Sequence, residues 1–268
     1  MNGFKKMRKK KDMLTAMTAD PHWLYEQAVQ DADVTVDIIE TVFGCENDHD
    51  PITLREDFCG TAKLCAEWVE SDPRRTAVGI DMDEATLAWA MDNNIAPLKE
   101  DAARVELLKQ DVLNESPGVF DVVAAFNFSY WVFQERKIQK QYFKKVLSQL
   151  SPGGLFILDL HGGPDAQFSL EESTEFDDFT YVWDQESFDP ITHLTKCHIH
   201  FSFPDGSKMN NAFTYDWRVW TIPELRDLLS EVGYRRTDVW WDNDNDGLVV
   251  TERAESLEAW IAYLAAWK

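Results

Sequence analysis

The feature that most constrains this chain is the segment of residues 54–62, LREDFCGTA, together with Asp81. The segment begins as a strand, carries the acidic Glu56 and Asp57, and continues into a turn of small residues. A helical pattern follows, and a second apolar run, residues 76–80, ends at Asp81. A strand, a tight turn, a helix and a second strand that ends in a carboxylate form the unit that holds the ribose of an adenosine. The sequence therefore predicts half of a nucleotide-type pocket.

The turn itself differs from that of dinucleotide-binding proteins. In those proteins three glycines let the backbone approach a pyrophosphate, whereas Phe58 takes the place of the first glycine here. Gly60 and the small Ala62 still allow a ligand to come close, but the segment lacks the lysine position of a phosphate-binding loop. A ligand with ribose and adenine but no phosphate fits this turn better than a dinucleotide.

The segment resembles motif I of the class I S-adenosylmethionine (SAM)-dependent methyltransferases, in which an acidic residue precedes three glycines at alternate positions. These four positions are held here by Glu56, Phe58, Gly60 and Ala62, so that two of the three glycines are replaced. Further motifs follow in the order of that family: Asp81 after the second strand, a third strand at 105–112, a fourth at 120–129, and a Pro-Gly-Gly turn with a fifth strand at 151–159. The resemblance covers residues 20–160 and 220–252, which is most of the chain.

The resemblance implies which residues contact the cofactor, SAM. The expected contacts are Glu56, Cys59, Gly60 and Thr61 for the methionine part, Asp81 and Met82 for the ribose, Asp111 and Val112 for the adenine, and Asn127, Phe128 and Ser129 for the floor of the reactive centre. Tyr25, on an N-terminal helical segment, is a further candidate contact, and packing in the core is an equal alternative for it. No metal is expected.

Strand and helix patterns alternate from residue 52 to residue 159, with helical patterns at 63–70, 84–93 and 135–150. Such alternation predicts a parallel sheet with helices on both faces. Together with the resemblance, it predicts an α/β fold with a doubly wound, mostly parallel, seven-stranded Rossmann-like sheet.

The pattern changes after the fifth strand. Between residues 162 and 219 aromatic and polar residues alternate with a period of two, which predicts a three-stranded antiparallel insertion over the acceptor pocket. A capping box at 221–224 opens a helix that Gly233 ends, and two strands follow at 234–241 and 248–252. The expected units are a tail with covering helices at 1–50, the SAM-binding domain at 51–161 and 220–253, the insertion at 162–219, and an amphipathic C-terminal helix at 254–268.

The net charge of −22 argues against nucleic-acid backbones and anionic membranes as partners. The exception is a basic cluster between Lys5 and Lys11, for which a solvated tail and an import or polyanion patch are the alternatives. No apolar run has the length of a signal peptide or a membrane span, so we expect a soluble, cytoplasmic protein. The four cysteines are scattered and indicate neither a zinc site nor a disulfide framework.

Candidate catalytic residues follow the fourth and fifth strands. His161 lies directly after the fifth strand, at the sheet edge where ligands bind, and is the leading candidate for a general base, with Tyr130 a second candidate. Expected acceptor contacts are Trp131, Trp183, Tyr215 and Arg218, of which the aromatic residues would form a box for a cation and Arg218 would bind a carboxylate. Core or surface positions are the alternative for each of them.

Two other patterns suggest metal sites less strongly. His198 and His200 share one strand face, but no third ligand is indicated nearby. Residues 242–247 match the opening of a calcium loop, yet position twelve is Arg253 and the flanks have strand patterns, which favours a polar hairpin turn.

The sequence as a whole predicts a SAM-dependent methyltransferase that acts on a small-molecule acceptor by direct SN2 transfer. The alternatives are a non-catalytic, methyltransferase-like binding protein, because two motif I glycines are replaced, and, less favoured, a nicotinamide-dependent oxidoreductase, which would share Asp81. Neither the acceptor nor the oligomeric state follows from the sequence.

Overall fold

The structure is a computed structural model that describes residues 13–114, 118–243 and 247–268. The basic cluster near the amino terminus and the middle of the acidic turn at 242–247 lie outside these residues. The helices are α1 Pro21–Val29, α2 Ala32–Gly44, α3 Lys63–Ser71, α4 Glu84–Ala90, α5 Arg136–Gln149 and α6 Ile222–Val232. A π-helical segment, Met91–Ile95, extends α4, and 3-10 segments lie at Ala96–Arg104, Ser129–Val132 and Pro164–Gln167.

Eight strands form one mostly parallel sheet. They are β1 Thr53–Asp57, β2 Thr76–Asp81, β3 Val105–Lys109, β4 Phe120–Ala125, β5 Leu150–Gly162, β10 Arg236–Asn243, β11 Gly247–Val250 and β12 Trp260–Trp267, in the spatial order β11-β10-β12-β5-β4-β1-β2-β3. The five strands from β3 to β5 run parallel, and β12, β10 and β11 are antiparallel to their neighbours. The predicted α/β fold is therefore confirmed, with one strand more than expected.

The predicted C-terminal helix is wrong. Residues Trp260–Trp267 form strand β12, which inserts between β5 and β10. From Ala262 onward nearly every side chain of β12 is buried, because both faces of this central strand are covered. A short apolar run without clear alternation is compatible with a helix or with a strand buried on both faces, and the sequence pattern alone does not separate them.

The insertion is a second, four-stranded antiparallel sheet, β6-β7-β8-β9, where three strands were expected. Its strands are β6 Leu170–Glu175, β7 Thr180–Phe188, β8 Leu194–Ser202 and β9 Lys208–Arg218. The missed strand is β6, whose sequence LEESTE is acidic and has few residues of high strand propensity. After the insertion, Thr221 and Glu224 form the predicted capping box of α6, and Gly233 ends that helix at φ 112°.

Helices cover both faces of the large sheet, as a doubly wound fold requires. Helices α2 and α3 bury Ile39, Phe43 and Trp68 against one face. Helices α5 and α6 bury residues such as Phe143 and Leu228 against the other. Helix α1 instead packs Leu24 into a separate apolar cluster with the insertion sheet, so the insertion and α1 together cover the carboxyl edge of the parallel strands.

Gly79 in β2 is required by close packing against the turn that follows β1. A Cβ atom at this position would lie 2.9 Å from the Sγ atom of Cys59 and 2.9 Å from the Cδ2 atom of Leu107. We expect Gly79→Ala to lower the free energy of unfolding by about 1–3 kcal/mol, because overpacking forces neighbouring groups to move. Urea unfolding measures this.

Gly44→Ala is the matched control, since an added Cβ there meets no atom within 4 Å. It should leave stability unchanged or raise it slightly, because alanine is the better helix former. Equal changes in the free energy of unfolding for the two variants would contradict this expectation, because they would show that the atoms around Gly79 accommodate a methyl group without cost.

Candidate cofactor and acceptor site

The turn between β1 and α3 keeps a left-handed backbone at each position where motif I has glycine. Phe58, Gly60 and Ala62 have φ angles of 59°, 51° and 53°. A non-glycine residue in this region costs about 1–2 kcal/mol. Phe58 and Ala62 therefore hold conformations that favour glycine, and packing must compensate for the strain.

Phe58 shows how that compensation works. Its ring lies 5.7 Å from the ring of Phe133 and 5.8 Å from that of Tyr142, measured between centroids, and so joins the aromatic cluster under α5. Edge and tilted aromatic pairs of this kind contribute about 0.5–1.5 kcal/mol each beyond area burial. The side chain is anchored in this cluster beside the turn, where Gly60 leaves open space next to its own backbone.

Asp81 ties the turn to the end of β2. Its Oδ2 atom accepts a hydrogen bond of 2.9 Å from the amide of Gly60, and its Oδ1 atom accepts one of 2.9 Å from the amide of Asp83. A carboxylate has about four lone-pair sites, so each oxygen keeps one for a ligand. The carboxylate is thus held in a fixed orientation at the carboxyl edge of the sheet.

Glu56 is buried at the end of β1. Its Oε2 atom accepts hydrogen bonds from the backbone amide of Cys65, at 3.2 Å, and from the Cys65 thiol, at 3.0 Å. Burial raises the pKa of Glu56 to about 7, partly offset by these two donors. A buried carboxylate without a basic partner is costly to keep ionised, and a cationic ligand group would reduce that cost.

A buried ion pair lies beneath the turn and was not predicted from the sequence. The Nε atom of Arg55 lies 2.6 Å from the Oδ1 atom of Asp57, and the hydroxyl of Tyr142 donates to the Oδ2 atom at 2.8 Å. Arg55 also donates to the side chain of Gln149. The available signal was the run of three consecutive charged residues in a strand, Arg55-Glu56-Asp57, because charged side chains are rarely fully buried without a partner.

Asp159 organises the turn after β4. The amides of Asn127 and Phe128, both at φ 56°, donate to its two carboxylate oxygens at 2.8 and 2.9 Å. Burial raises the pKa of Asp159 to about 7, and the two amides oppose that shift. This link fixes the end of β4 against β5 beside the site.

Two cavities meet at this edge of the sheet. The turn cavity, of about 350 Å³, is lined by the β1–α3 turn, Glu56 and Asp81. The insertion cavity, of about 480 Å³, lies between the large sheet and the insertion. Tyr25, Asn127 and Tyr215 line both cavities and form the junction between them. Ligands in the two cavities would therefore lie next to each other, on either side of these three residues.

Most of the predicted cofactor residues line these cavities. The turn cavity is lined by Tyr25, Glu56, Cys59, Gly60, Thr61, Asp81, Asn127 and Ser129, and the insertion cavity by Phe128. Met82 is 68% exposed and lines neither cavity. Asp111 and Val112 also lie outside both linings. The side chain of Asp111 accepts from the amide of Leu113, and the carbonyl of Val112 accepts from Arg55.

His161 lines the insertion cavity as expected. Its ring packs between Phe128 and Trp131, with centroid distances of 4.6 and 4.7 Å. Burial lowers the pKa of His161 to about 4, so the imidazole is neutral at pH 7. The ring can accept a proton, although as a weak base.

The catalytic role predicted for Tyr130 is wrong. Tyr130 is completely buried, its hydroxyl donates to the backbone carbonyl of Asp159 at 2.8 Å, and burial raises its pKa further above the ordinary value. The hydroxyl stabilises the β4–β5 connection and does not face a cavity. The prediction failed because the folded chain buries Tyr130 completely, which its position near a strand end does not show in the sequence.

Two of the predicted acceptor contacts are also wrong. Trp131 is fully buried behind His161 and lines neither cavity. Arg218 lies over the ring of Trp220, at 3.9 Å from its centroid, and pairs with Glu224 at 3.0 Å. Its guanidinium is used to anchor the start of α6. Trp183 and Tyr215, in contrast, line the insertion cavity, and their role as acceptor contacts stays a prediction.

Several lining residues were not singled out from the sequence. They are Asp165, Glu172 and Trp260, which come from the 3-10 segment after β5, from β6 and from β12. Their positions depend on strands that the sequence patterns did not reveal. The available signal was the alternation of Leu170, Glu172 and Thr174, all of which face this cavity.

The two insertion histidines contact separate carboxylates. His198 lies 2.7 Å from Glu186, and His200 lies 3.2 Å from Asp184. Among the described residues, no group of three or more His, Cys, Asp or Glu side chains is arranged to hold a metal ion.

Within the same part of the chain, no helix combines the length and apolar character that a membrane crossing requires.

Comparisons with known proteins agree with this geometry. Residues 59–156 match the family model described as a methyltransferase domain. A SAM-dependent methyltransferase from Clostridium acetobutylicum has a similar structure, with a TM-score of 0.68 and 20% sequence identity over 91% of this chain and 96% of that one. None of the curated proteins compared matches the sequence.

Two further structures are similar. One is an amino pentose methyltransferase of calicheamicin biosynthesis from Micromonospora echinaspora, solved with bound SAM, with a TM-score of 0.65 and 13% identity over 92% of this chain and 95% of that one. The other is a sugar N-methyltransferase from Streptoalloteichus, with a TM-score of 0.65 and 14% identity over 100% and 99% of the two chains. The chain therefore has the class I, Rossmann-like fold of these methyltransferases, and residues 59–156 of it match a methyltransferase domain.

The left-handed position of Ala62 can be tested with a matched pair of substitutions. Ala62→Gly and Ala66→Gly each remove one buried methyl group, but Ala62 has φ 53° whereas Ala66 lies inside α3. Glycine relieves strain at the first position and costs about 1 kcal/mol of helix propensity at the second. We expect Ala62→Gly to be less destabilising by at least about 1 kcal/mol in urea unfolding. Equal losses would mean that the turn is not strained.

The raised pKa of Glu56 predicts a specific pH dependence of stability. Between about pH 5 and pH 7 the folded protein holds a proton at Glu56 that the unfolded chain has released, so the free energy of unfolding falls as pH rises through this window. Glu56→Gln removes this titration and should make that fall less steep. The exposed Glu70→Gln is the control and should keep the parent slope. Identical slopes for all three proteins would contradict the raised pKa.

Proposed function

We propose that this chain is a SAM-dependent methyltransferase that transfers a methyl group directly to a small-molecule acceptor. The observation that carries the proposal is the junction of the two cavities at Tyr25, Asn127 and Tyr215. One cavity has the features that suit an adenosyl ligand, and the other opens beyond it under the insertion. Methyl transfer requires such an arrangement, because donor and acceptor must meet in line.

The residues of the turn cavity fit SAM. Asp81 has free lone pairs for both ribose hydroxyls, and Gly60, at φ 51°, leaves space for a ligand beside the turn. Buried Glu56 offers a carboxylate to the ammonium group of the methionine part. Asp111 and Val112, just beyond β3, stay the predicted contacts of the adenine.

Bound SAM supplies a sulfonium methyl group, which passes to the acceptor as the new bond forms and sulfur keeps the electron pair of the broken bond. The protein's contribution is alignment and exclusion of water. Asn127 and Phe128 are fixed by Asp159 beneath the junction, and the insertion sheet closes the cavity from above. Neutral His161 is the proposed acceptor of any proton that leaves the substrate.

The acceptor is proposed to be a small molecule because the insertion covers the cavity and leaves a volume of about 480 Å³. Similar structures include enzymes described as acting on an amino pentose and on a sugar, which supports this size class. The net charge of −22 opposes a nucleic-acid acceptor.

The test is calorimetric titration with S-adenosylhomocysteine (SAH). We expect Asp81→Asn to weaken binding by about 10- to 100-fold, because each hydrogen bond to a charged group contributes about 1.5–3 kcal/mol. Asp92→Asn, an exposed carboxylate outside both cavities, is the control and should bind like the parent. Failure of the parent protein to bind SAH, or preferential binding of NAD, would refute the proposal. Binding of SAH without methylation of any compound in a broad metabolite panel would favour the non-catalytic alternative.

A further inference from the structure

The charged side chains that line the insertion cavity are all acidic. Asp165 and Glu172 contribute carboxylates, and the lining contains no lysine or arginine. His161 adds no positive charge, because burial lowers its pKa to about 4 and leaves the imidazole neutral at pH 7. A ligand in this cavity therefore meets negative potential without any compensating positive charge.

The acidic residues are held by regular structure. Glu172 lies in β6, whose residues Leu170, Glu172 and Thr174 alternate toward the cavity, while Glu171 points away from it. Asp165 is fixed through its backbone, since its amide donates to the carbonyl of Glu258 at 3.1 Å and its carbonyl accepts from Gln185 at 3.1 Å. Regular structure thus fixes the backbone of both acidic residues in the cavity wall.

Aromatic rings form the wall contributed by β7 and β9. The centroids of Tyr215 and Trp217 lie 4.3 Å apart, and those of Trp183 and Trp217 lie 6.2 Å apart, with interplanar angles of 26° and 32°. Trp183, Tyr215 and Trp217 therefore form one stack of aromatic rings in the cavity wall. The ring faces carry partial negative charge, which attracts organic cations.

Carboxylates and ring faces together discriminate between classes of acceptor. An anionic acceptor would be repelled by Asp165 and Glu172, and a neutral acceptor would leave both carboxylates without a charged partner. An organic cation satisfies both features. We infer that the acceptor is a small organic amine that binds in the cavity in its protonated form, with Glu172, Asp165 and the aromatic wall of Trp183, Tyr215 and Trp217 selecting for its charge. The bound ammonium then loses one proton to solvent, with His161 as the relay. The freed lone pair of nitrogen forms the new bond to the methyl carbon, while sulfur keeps the electron pair of the broken bond. This inference rests on the proposed function and specifies the ligand class of its second cavity.

The test uses a probe pair of equal shape but different charge. Choline and 3,3-dimethylbutan-1-ol, in which carbon replaces the charged nitrogen, are titrated against the protein saturated with SAH, and tryptophan fluorescence reports binding, because Trp183, Trp217 and Trp260 line the cavity. We expect the cation to bind at least tenfold more tightly than the neutral probe. Glu172→Gln should weaken binding of the cation about threefold to tenfold, the modest range reflecting the solvent exposure of this residue, and leave the neutral probe unaffected.

Glu171→Gln is the matched control, one position away on the opposite side of β6, and should leave binding of the cation within twofold of the parent. The double variant Asp165→Asn with Glu172→Gln should remove the preference for the cation. Equal binding of both probes by the parent, or equal effects of Glu171→Gln and Glu172→Gln, would overturn the inference.

The SAH titration separates this inference from the proposed function. If the protein binds SAH but shows no preference for the cation, only the inferred ligand class fails. If SAH itself does not bind, the proposed function fails first. Each variant must bind SAH as the parent does, which also shows that it is folded.

Discussion

The structure of the site depends on the hydrogen bond between the amide of Gly60 and the carboxylate of Asp81. It joins the turn after β1 to the end of β2, and the close packing of Cys59 on Gly79 reinforces the same contact. With the turn fixed, the left-handed conformations of Phe58 and Ala62 are retained although neither residue is glycine. Their strain, about 1–2 kcal/mol each, is offset by burial of the Phe58 ring in the aromatic cluster and of Ala62 against the sheet.

Buried carboxylates set the electrostatic character of the same region. Glu56 and Asp159 have pKa values raised to about 7 by burial, and backbone or thiol donors, not basic side chains, provide their hydrogen bonds. Asp57 is the exception, because it forms an ion pair with Arg55 beneath the turn. A site built in this way favours cationic groups, because they stabilise carboxylates that are otherwise costly to ionise. A sulfonium, an α-ammonium and a protonated amine share that property.

The sequence was informative where local chemistry determines structure. The turn at Phe58 to Ala62, Asp81 after β2 and the capping box at Thr221 are all local patterns, and the structure has each of them in the expected element. It was less informative where burial depends on distant strands. Strand β12 has the sequence pattern of a helix or of a strand buried on both faces, and the acidic composition of β6 gave no strand signal. The hydrogen bond of Tyr130 to Asp159 and the ion pair of Arg218 with Glu224 are contacts that only the folded chain shows.

The most direct test of this account is a crystal structure of the protein grown with SAH. We predict that the ribose hydroxyls lie within hydrogen-bonding distance of Asp81, that the ammonium group lies toward Glu56, and that sulfur faces the junction of Tyr25, Asn127 and Tyr215. Ligand density elsewhere, or an empty turn cavity at saturating SAH, would contradict the account.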